Sequence, residues 1–283
     1  MKLKYSLPAL LFLSFSFSVS AQPLTARILF DKMLHSIDNT KTYSFNYRIT
    51  ERLKEQYKTS EYIIHMNSKP VKIFAYVITP NPGARVLFIP GENNDKIYIK
   101  PNKFPYINLN LSPQNKLMRR SHYFTMNEVG FNYLKDLLSA YFNRDSVTFM
   151  KWMRMGNETT FKCTNCYTLI LENNSFAYVN YYAQQGETIS LIAKKLHLND
   201  KSILLKNPHI SGYEESLPAG IIKVPNTFAK KIVLYLDKNS HLPIVQEMYD
   251  DKGMFARIEM TSVVQNAKFD ADEFTRTKKE YGF

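Results

Sequence analysis

Two cysteines with redox-type spacing are the first candidates for chemistry. They occur as Cys163-Thr-Asn-Cys166, and the chain contains 2 Cys in total. A Cys-x-x-Cys pair performs redox chemistry when its first thiol lies at a helix N-terminus, which lowers the thiol pKa. Here the pair begins a segment that is typical of a strand, with Tyr167, Leu169 and Leu171 alternating. The sequence therefore predicts either a local disulfide between Cys163 and Cys166 or two thiols, with Cys166 packed in a sheet.

The histidines and carboxylates do not form a catalytic pattern. A zinc site would need two further ligands, and no histidine is spaced for that role near the cysteines. Hydrolase and phosphate-binding motifs are missing from the sequence. Glu51-Arg52 is a candidate for a buried ion pair, although a surface pair is favoured. We expect no catalytic residues, no metal, no cofactor and no enzymatic activity.

The first 21 residues have the pattern of a secretory signal peptide. Lys2 and Lys4 precede an apolar run from Leu7 to Val19, and small residues end the segment at Ala21. This apolar run is shorter than the ~20 residues that cross a bilayer, and no second run of that length follows. We therefore expect cleavage before Gln22 and a periplasmic protein that does not span a membrane.

Composition and charge narrow the class of partner. The 283 residues are 45% hydrophobic and 14% aromatic, which is enough for a packed core and argues against disorder. The formal net charge is +12, and it becomes +10 without the two lysines of the signal peptide. For a basic exported protein we expect no nucleic acid, and an anionic lipid, a wall polymer or an acidic protein instead. The alternative is that the lysines only maintain solubility.

Two periodicities predict an α+β architecture. Apolar residues at helical spacing predict helices over residues 24–37 and 126–142. Alternating apolar residues predict antiparallel strands, over residues 43–49, 62–66, 71–78, 85–89, 96–99, 160–172, 231–237, 243–249 and 255–263. These elements occupy residues 22–177 and 227–283, which we expect to form one discontinuous host domain.

Residues 178–226 interrupt that strand rhythm. An aromatic strand, a turn at Gly186, two short helices and a closing strand follow one another in this segment. The segment resembles a LysM domain, on the following residues: Gln185-Gly186-Glu187-Thr188-Ile189, Ile192-Ala193, Asn207-Pro208 before Ile210, and Pro218-Ala219-Gly220 before Ile222-Lys223-Val224-Pro225. Together these residues carry the resemblance, in this order and at these intervals.

The LysM resemblance implies binding of N-acetylglucosamine-containing glycans, and peptidoglycan above all. The family's groove lies between the loop that enters the first helix and the loop that leaves the second. The implied glycan-binding residues are Gly186, Glu187, Thr188, Ile189, Asn207, Pro208, His209 and Ile210. The alternative is a packing element that has lost its groove.

The flanking segments resemble an uncharacterised family of exported bacterial proteins related to the outer-membrane lipoprotein carriers LolA and LolB. The matching segments include Thr42-Tyr43-Ser44-Phe45, Lys69-Pro70-Val71-Lys72-Ile73-Phe74, Gly83-Ala84-Arg85-Val86-Leu87, and Met118-Arg119-Arg120-Ser121-His122. The resemblance implies a curved antiparallel half-barrel around helices, with an apolar concavity for acyl chains. The residues assigned to that concave face are Tyr43, Phe45, Tyr47, Ile73, Ala75, Val77, Leu87 and Ile89. The alternative is that they form ordinary core beneath the helices.

Three functional hypotheses follow. The first is a non-enzymatic cell-envelope protein, peripheral to the outer membrane, that binds peptidoglycan and an amphiphile such as a lipid or an acylated protein. The second is an assembly protein whose host sheet binds another protein. The third is a wall-modifying enzyme that uses glutamate or aspartate residues of the host.

Overall fold

A computed structural model describes residues 23–104, 106–120 and 122–283. The predicted signal peptide, residues 1–21, lies outside the described residues. The described helices are α1 (Ala26–Asn39), α2 (Lys116–Arg119), α3 (Phe131–Arg144), α4 (Ser146–Trp152), α5 (Ile189–Leu196) and α6 (Asp200–Lys206). Short 3-10 turns occur at Asn93–Asp95 and Met126–Glu128. None of the helices in these ranges has both the length and the apolar character needed to cross a bilayer.

The strands follow the predicted meander. They are β1 (Thr42–Leu53), β2 (Gln56–Ser68), β3 (Val71–Thr79), β4 (Arg85–Phe88), β5 (Ile97–Lys100), β6 (Leu109–Leu111), β7 (Met153–Met155), β8 (Thr159–Phe161), β9 (Thr164–Glu172), β10 (Tyr178–Ala183), β11 (Gly220–Pro225), β12 (Lys231–Asp237), β13 (Pro243–Asp250) and β14 (Gly253–Gln265). The protein is α+β, as the sequence predicts.

Within the described residues, twelve strands form one antiparallel sheet in the order β6-β5-β4-β3-β2-β1-β14-β13-β12-β9-β7, with β8 paired to β9. The first long strand, β1, pairs with the last strand, β14, and Tyr47 lies opposite Met260. Twelve flat strands would span ~50 Å at the usual spacing. Buried residues from β5 and from β9 nevertheless belong to one apolar cluster. The sheet is therefore curved, and this cluster fills its concave face.

Helices α1 and α3 cover one part of the concave face. Each bears a buried apolar stripe at helical spacing, which in α1 includes Leu29, Met33 and Ile37. On α3, the Phe131 ring packs 5.2 Å from the Tyr43 ring centroid, and Tyr43 in turn stacks on Phe45. Strand β1 alternates buried and more accessible residues along its length, which is the pattern of a strand with one covered face.

The predicted helix over residues 126–142 is divided. A 3-10 turn ends at Glu128, and α3 begins only after Gly130, which has a φ of +91°. A Cβ atom at Gly130 would collide with the Tyr43 hydroxyl oxygen, so both the backbone angle and the space require glycine here. The predicted strand over residues 160–172 is a hairpin of β8 and β9, and α4 was not predicted.

Leu87 and Ile89 do not lie on the concave face, contrary to the prediction. Strand β4 pairs Val86 with Ala75 and Leu87 with Phe74. Because side chains alternate along a strand, Val86 faces the concave side while Leu87 faces the convex side. There Leu87 and Ile89 pack with Phe74 and Tyr281 from the C-terminal tail.

Residues 178–226 form a βααβ unit with its own apolar cluster. Strands β10 and β11 pair antiparallel, and α5 and α6 lie between them in the chain. The chain leaves the host sheet after β9 and returns at the neighbouring strand β12, with Glu172 opposite Lys231. The two connecting segments are joined, since the Asn226 N–H donates to the Ala177 carbonyl oxygen over 2.9 Å. We call residues 178–226 the inserted unit.

Candidate functional site

An inner apolar cavity of about 90 Å³ lies on the concave face of β1–β5. Residues 113–120 and 122–129, which we call the covering segment, form its opposite wall. The side chains around the inner cavity are almost all apolar or aromatic. They are Tyr47, Ile49, Tyr62, Ile64, Ala75, Val86, Ile97, Pro113, Met118, His122, Phe124, Thr125, Met126 and Val129.

An outer cavity of about 580 Å³ adjoins the inner one. Its wall includes Val77, Leu109, Leu111 and Leu117, and Lys58 and Lys103 add positive charge to it. Tyr62, Val86, Met118 and His122 line both cavities. Since Met118 and His122 belong to the covering segment, their side chains lie between the inner and outer spaces.

The covering segment is held to the sheet by Glu51, which is 1% exposed. The Glu51 carboxylate accepts a hydrogen bond from the Tyr123 N–H, and its second oxygen lies 2.7 Å from Nδ1 of His122. The Glu51-Arg52 ion pair considered above is not formed. Neighbouring residues on a strand face opposite sides, and Arg52 pairs with Asp250 instead.

The tyrosines of the cavity wall are held in the neutral form. Burial raises the pKa of Tyr62 to about 12. Burial also raises the pKa of Tyr47 well above its ordinary value, and the nearby Glu51 charge adds to this effect. The wall of the inner cavity therefore presents neutral rings and hydroxyl groups, which suits an apolar chain with few polar contacts.

The inserted unit holds the covering segment from the other side. Arg119 is 1% exposed and forms an ion pair with Asp200 at the N-terminus of α6. Asn199 donates from Nδ2 to the Tyr123 carbonyl oxygen over 3.0 Å. The Tyr213 ring centroid lies 4.5 Å from the Arg119 guanidinium carbon. The covering segment is thus fixed between the host sheet and the inserted unit.

Of the eight predicted cavity residues, three line a cavity. Tyr47 and Ala75 line the inner cavity, and Val77 lines the outer one. The predicted residues that belong to the packed core instead are Tyr43, Phe45 and Ile73. Alternation along β4 can place either Val86 or the pair Leu87 and Ile89 on the concave face. The prediction named Leu87 and Ile89, whereas Val86 is the residue that lines the cavity. The cavity residues of the covering segment carry no periodic signal, because that segment is mostly irregular.

The predicted glycan-binding residues divide into supports and exposed groups. Thr188 accepts the Leu191 N–H as the N-cap of α5, and Ile189 and Ile210 are buried. Asn207 is also buried, and its side chain donates to the carbonyl oxygens of Ile203 and Lys223. These four residues shape the two loops from within.

The remaining predicted residues are more accessible. Gly186, Pro208 and His209 are exposed. Glu187 is partly accessible, and the Gln184 N–H bonded to its carboxylate lowers the pKa of Glu187, with Lys195 adding to this effect. The Ser190 N–H donates to the Tyr213 carbonyl oxygen over 3.0 Å, which ties the start of α5 to the segment after the second loop.

The two cysteines are free thiols in the structure. Cys163 is exposed in the β8–β9 turn, where its φ is +67°, and Cys166 is buried in β9. Burial is the main cause that raises the pKa of the Cys166 thiol. This arrangement is the second of the two alternatives that the sequence left open.

The fold and site together define an α+β protein whose curved antiparallel sheet encloses an apolar cavity beneath an irregular segment. Residues 40–187 match the family described as "Protein of unknown function (DUF1571)", and the chain belongs to that family. No curated protein matches the chain in sequence.

Several solved structures resemble this one at low sequence identity. The lipoprotein LppX of Mycobacterium tuberculosis has a TM-score of 0.41 and 9% identity, covering 87% of this chain and 98% of that chain. An uncharacterized conserved protein of Thermus thermophilus has a TM-score of 0.41 and 7% identity, with 90% and 95% covered. A LolA superfamily protein of Nitrosomonas europaea has a TM-score of 0.34 and 9% identity, with 90% and 99% covered.

Proposed function

We propose that this protein is a non-enzymatic protein of the bacterial cell envelope that binds the apolar chain of a lipid or an acylated protein. The observation that supports the proposal is the pair of adjoining cavities on the concave face, the inner one lined almost wholly by apolar groups. Each methylene transferred from water into such a cavity contributes ~0.8 kcal/mol. An acyl chain would place its end in the inner cavity and its remaining length in the outer one.

The charges of the outer cavity favour an anionic amphiphile. Lys58 and Lys103 line this cavity, and none of the described residues that line it is acidic. A carboxylate or phosphate headgroup near these ammonium groups would remain in contact with water while its chain is buried. The proposed ligand class is therefore a single acyl chain that bears an anionic head.

Exposed apolar side chains surround the same end of the sheet. Phe104 is 87% exposed, and Tyr106, Ile107 and Leu117 are also exposed. The first three lie in the loop that joins β5 to β6, directly beside Lys103 and Leu109 of the outer cavity. Apolar groups exposed beside lysines suit an anionic membrane surface. This arrangement supports a periplasmic protein that is peripheral to the outer membrane.

The inserted unit is proposed to bind peptidoglycan. Two observations support this: the resemblance of its sequence to LysM domains, and its strand-helix-helix-strand order. Gly186, Pro208 and His209 are the exposed members of the two loops that the resemblance implicates. A single unit of this kind would act mainly as a tether, because the affinity of one small module is modest without repetition.

Binding of a fluorescent fatty acid tests the cavity. We expect delipidated protein to bind dansyl-undecanoic acid, and Ala75→Leu to weaken binding at least tenfold by filling the inner cavity. Leu87→Met is the matched control. Leu87 lies on the convex face of the neighbouring strand, so this variant should bind the fatty acid as the wild type does. Equal binding by all three proteins, or no binding by the wild type, would contradict a cavity for acyl chains.

Co-sedimentation with insoluble peptidoglycan tests the inserted unit. We expect the wild type to pellet and the double substitution Pro208→Ser with His209→Glu to remain in the supernatant. Ile221→Ser provides the control, since Ile221 is exposed on β11 of the same unit. Pelleting that survives the double substitution would remove these loops from glycan binding.

A further inference from the structure

We propose that the inserted unit acts as the latch of the acyl-chain cavity, so that glycan binding by the unit loosens the covering segment and opens the cavity. This inference rests on the proposed function and adds a regulatory connection between its two halves. A latch of this kind requires that the inserted unit contact the covering segment directly. Breaking that contact must also destabilise the closed position of the covering segment.

The contact is direct. Asp200 of the inserted unit pairs with Arg119. The residue before Arg119 is Met118, and the Met118 side chain lies between the inner and outer cavities. Lys201 donates from Nζ to the Arg119 carbonyl oxygen over 3.3 Å. Gln114 of the covering segment donates from Nε2 to the second Asp200 oxygen over 2.9 Å.

Tyr123 is held from both sides through its backbone. Its N–H donates to Glu51 of the host sheet, and its carbonyl oxygen accepts from Asn199 of the inserted unit. Its neighbour His122 lines both cavities. The position of this part of the cavity wall is therefore set jointly by the sheet and by the first residues of α6.

The latch depends on the Arg119 guanidinium. Within the described part of the chain, its Nε and Nη1 atoms have no hydrogen-bond acceptor, and Glu128 lies 3.8 Å from Nη1. Its Nη2 donates to Asp200 and, over 3.2 Å, to the Tyr123 carbonyl oxygen, so Asp200 is the carboxylate that is hydrogen-bonded to the buried charge. Loss of the Asp200 contact would leave this buried cation with the Tyr123 carbonyl oxygen and the more distant Glu128 carboxylate. A buried charge that loses one of its partners is destabilised, and the packed position of Arg119 and of the adjoining Met118 would become less favourable.

The glycan loops are connected to the same guanidinium. Tyr213, whose ring packs on Arg119, follows the loop of residues 207–212 that the LysM resemblance implicates. The Tyr213 carbonyl oxygen also accepts from Ser190, at the start of α5. Glycan binding that displaces this loop would move the Tyr213 ring away from Arg119 and remove its packing partner. Glycan binding should therefore favour the open cavity.

Thermodynamic reciprocity gives the test. If a glycan raises the affinity for an acyl chain by some factor, the acyl chain must raise the affinity for the glycan by the same factor. We expect saturating N-acetylglucosamine tetramer to raise wild-type affinity for dansyl-undecanoic acid at least threefold, and the fatty acid to raise tetramer affinity equally. Asp200→Asn should bring both factors close to one, with fatty-acid affinity near the glycan-saturated level.

Lys206→Gln is the matched control. The Lys206–Asp251 pair also joins the inserted unit to the host, and within the described residues no hydrogen bond or ion pair links either residue to the covering segment. This variant should keep the wild-type coupling. A coupling factor of one in wild-type protein that binds both ligands would overturn the latch and leave the proposed function standing. If the wild type binds neither the fatty acid nor the glycan, both the latch and the proposed function are overturned.

Hydrogen exchange gives a second readout that needs no ligand. In Asp200→Asn we expect the amides of residues 117–124 to exchange at least tenfold faster than in the wild type, with Lys206→Gln unchanged. Should Asp200→Asn fail to fold, Gln114→Ala removes one hydrogen bond to Asp200 and should show a smaller acceleration at the same amides. Unchanged exchange there in the variant that folds would refute the latch.

Discussion

The concave face of the sheet has two regions that are covered in different ways. Where α1 and α3 cross it, long amphipathic stripes fill the space and aromatic rings such as Phe131 pack on β1. Where the covering segment crosses it, α2 has four residues and the rest is a 3-10 turn or irregular backbone. Apolar side chains of the sheet pack into solid core in the first region and line a cavity in the second.

The difference shows that the cover, rather than the sheet, determines where the cavity lies. A helix presents several apolar side chains on one face to the sheet. Irregular backbone must keep its polar groups satisfied, and the covering segment does so through Glu51 and Asn199. It therefore approaches the sheet at a few fixed points and leaves apolar space between them.

The largest expected effect lies in the packed region. We expect Phe131→Ala to lower the free energy of unfolding by about 3–5 kcal/mol, because it leaves a void among closely packed rings. Met118→Ala, in the cavity region, should cost only about 1 kcal/mol, since that side chain already borders empty space. Urea denaturation measures both. Equal losses would mean that the two regions are packed alike.

The sequence predicted most of the sheet, because period-two alternation survives wherever one face is covered. The strand over 231–237 was located to the residue, and the hairpin turn at Asp250–Gly253 joins β13 to β14. The phase of a short strand was less secure. In β4, all four residues are apolar or long, so alternation alone could not decide which of Val86 and Leu87 lies on the concave face.

The candidate site was less predictable for a physical reason. Met118 and His122 line the cavities through tertiary contacts that no local periodicity encodes. Glu51 was considered only as a partner for Arg52, although its partners, His122 and Tyr123, lie about seventy residues away. In the inserted unit, the N-cap Thr188 is followed by buried residues at helical spacing, Ile189, Ile192 and Ala193, and the sequence located α5 from this pattern.

A pair of leucines tests the assignment of the two faces. Leu87→Ala should cost about 2–5 kcal/mol, because Leu87 is fully buried under the C-terminal tail. Leu111→Ala, which lines the outer cavity, should cost about 1 kcal/mol and weaken binding of dansyl-undecanoic acid. Thermal unfolding and the fluorescence titration together separate them. The assignment of faces would be wrong if Leu87→Ala impaired binding and Leu111→Ala did not.

The buried carboxylates beside Arg119 predict a pH dependence. Burial raises the pKa of Glu128 and of Asp200, which share one guanidinium. A raised folded-state pKa means that the native protein binds more protons than the unfolded chain above the ordinary value, so stability falls as pH rises through that window. We expect the free energy of unfolding of the wild type, relative to Glu128→Gln, to decline from pH about 4.5 upward.

Groups that titrate in the opposite direction cancel from this difference. The pKa of Glu273 is lowered by Lys278 and Tyr281 against the effect of burial, and it is present in both proteins. Urea denaturation at a series of pH values gives the two curves. A constant difference between them would show that Glu128 stays ionised throughout and that Arg119 satisfies both carboxylates.

The smallest expected effect concerns the β8–β9 hairpin, far from the covering segment in the chain. Iodoacetamide should modify Cys163 in the native protein and reach Cys166 only after unfolding, because one thiol is exposed and the other is buried with a raised pKa. Peptide mass spectrometry locates the label, and Cys163→Ser should change stability by less than about 0.5 kcal/mol. Labelling of both thiols at equal rates would mean that β9 opens readily at this edge of the concave face. Easy opening would then not be confined to the part of the concave face under the covering segment.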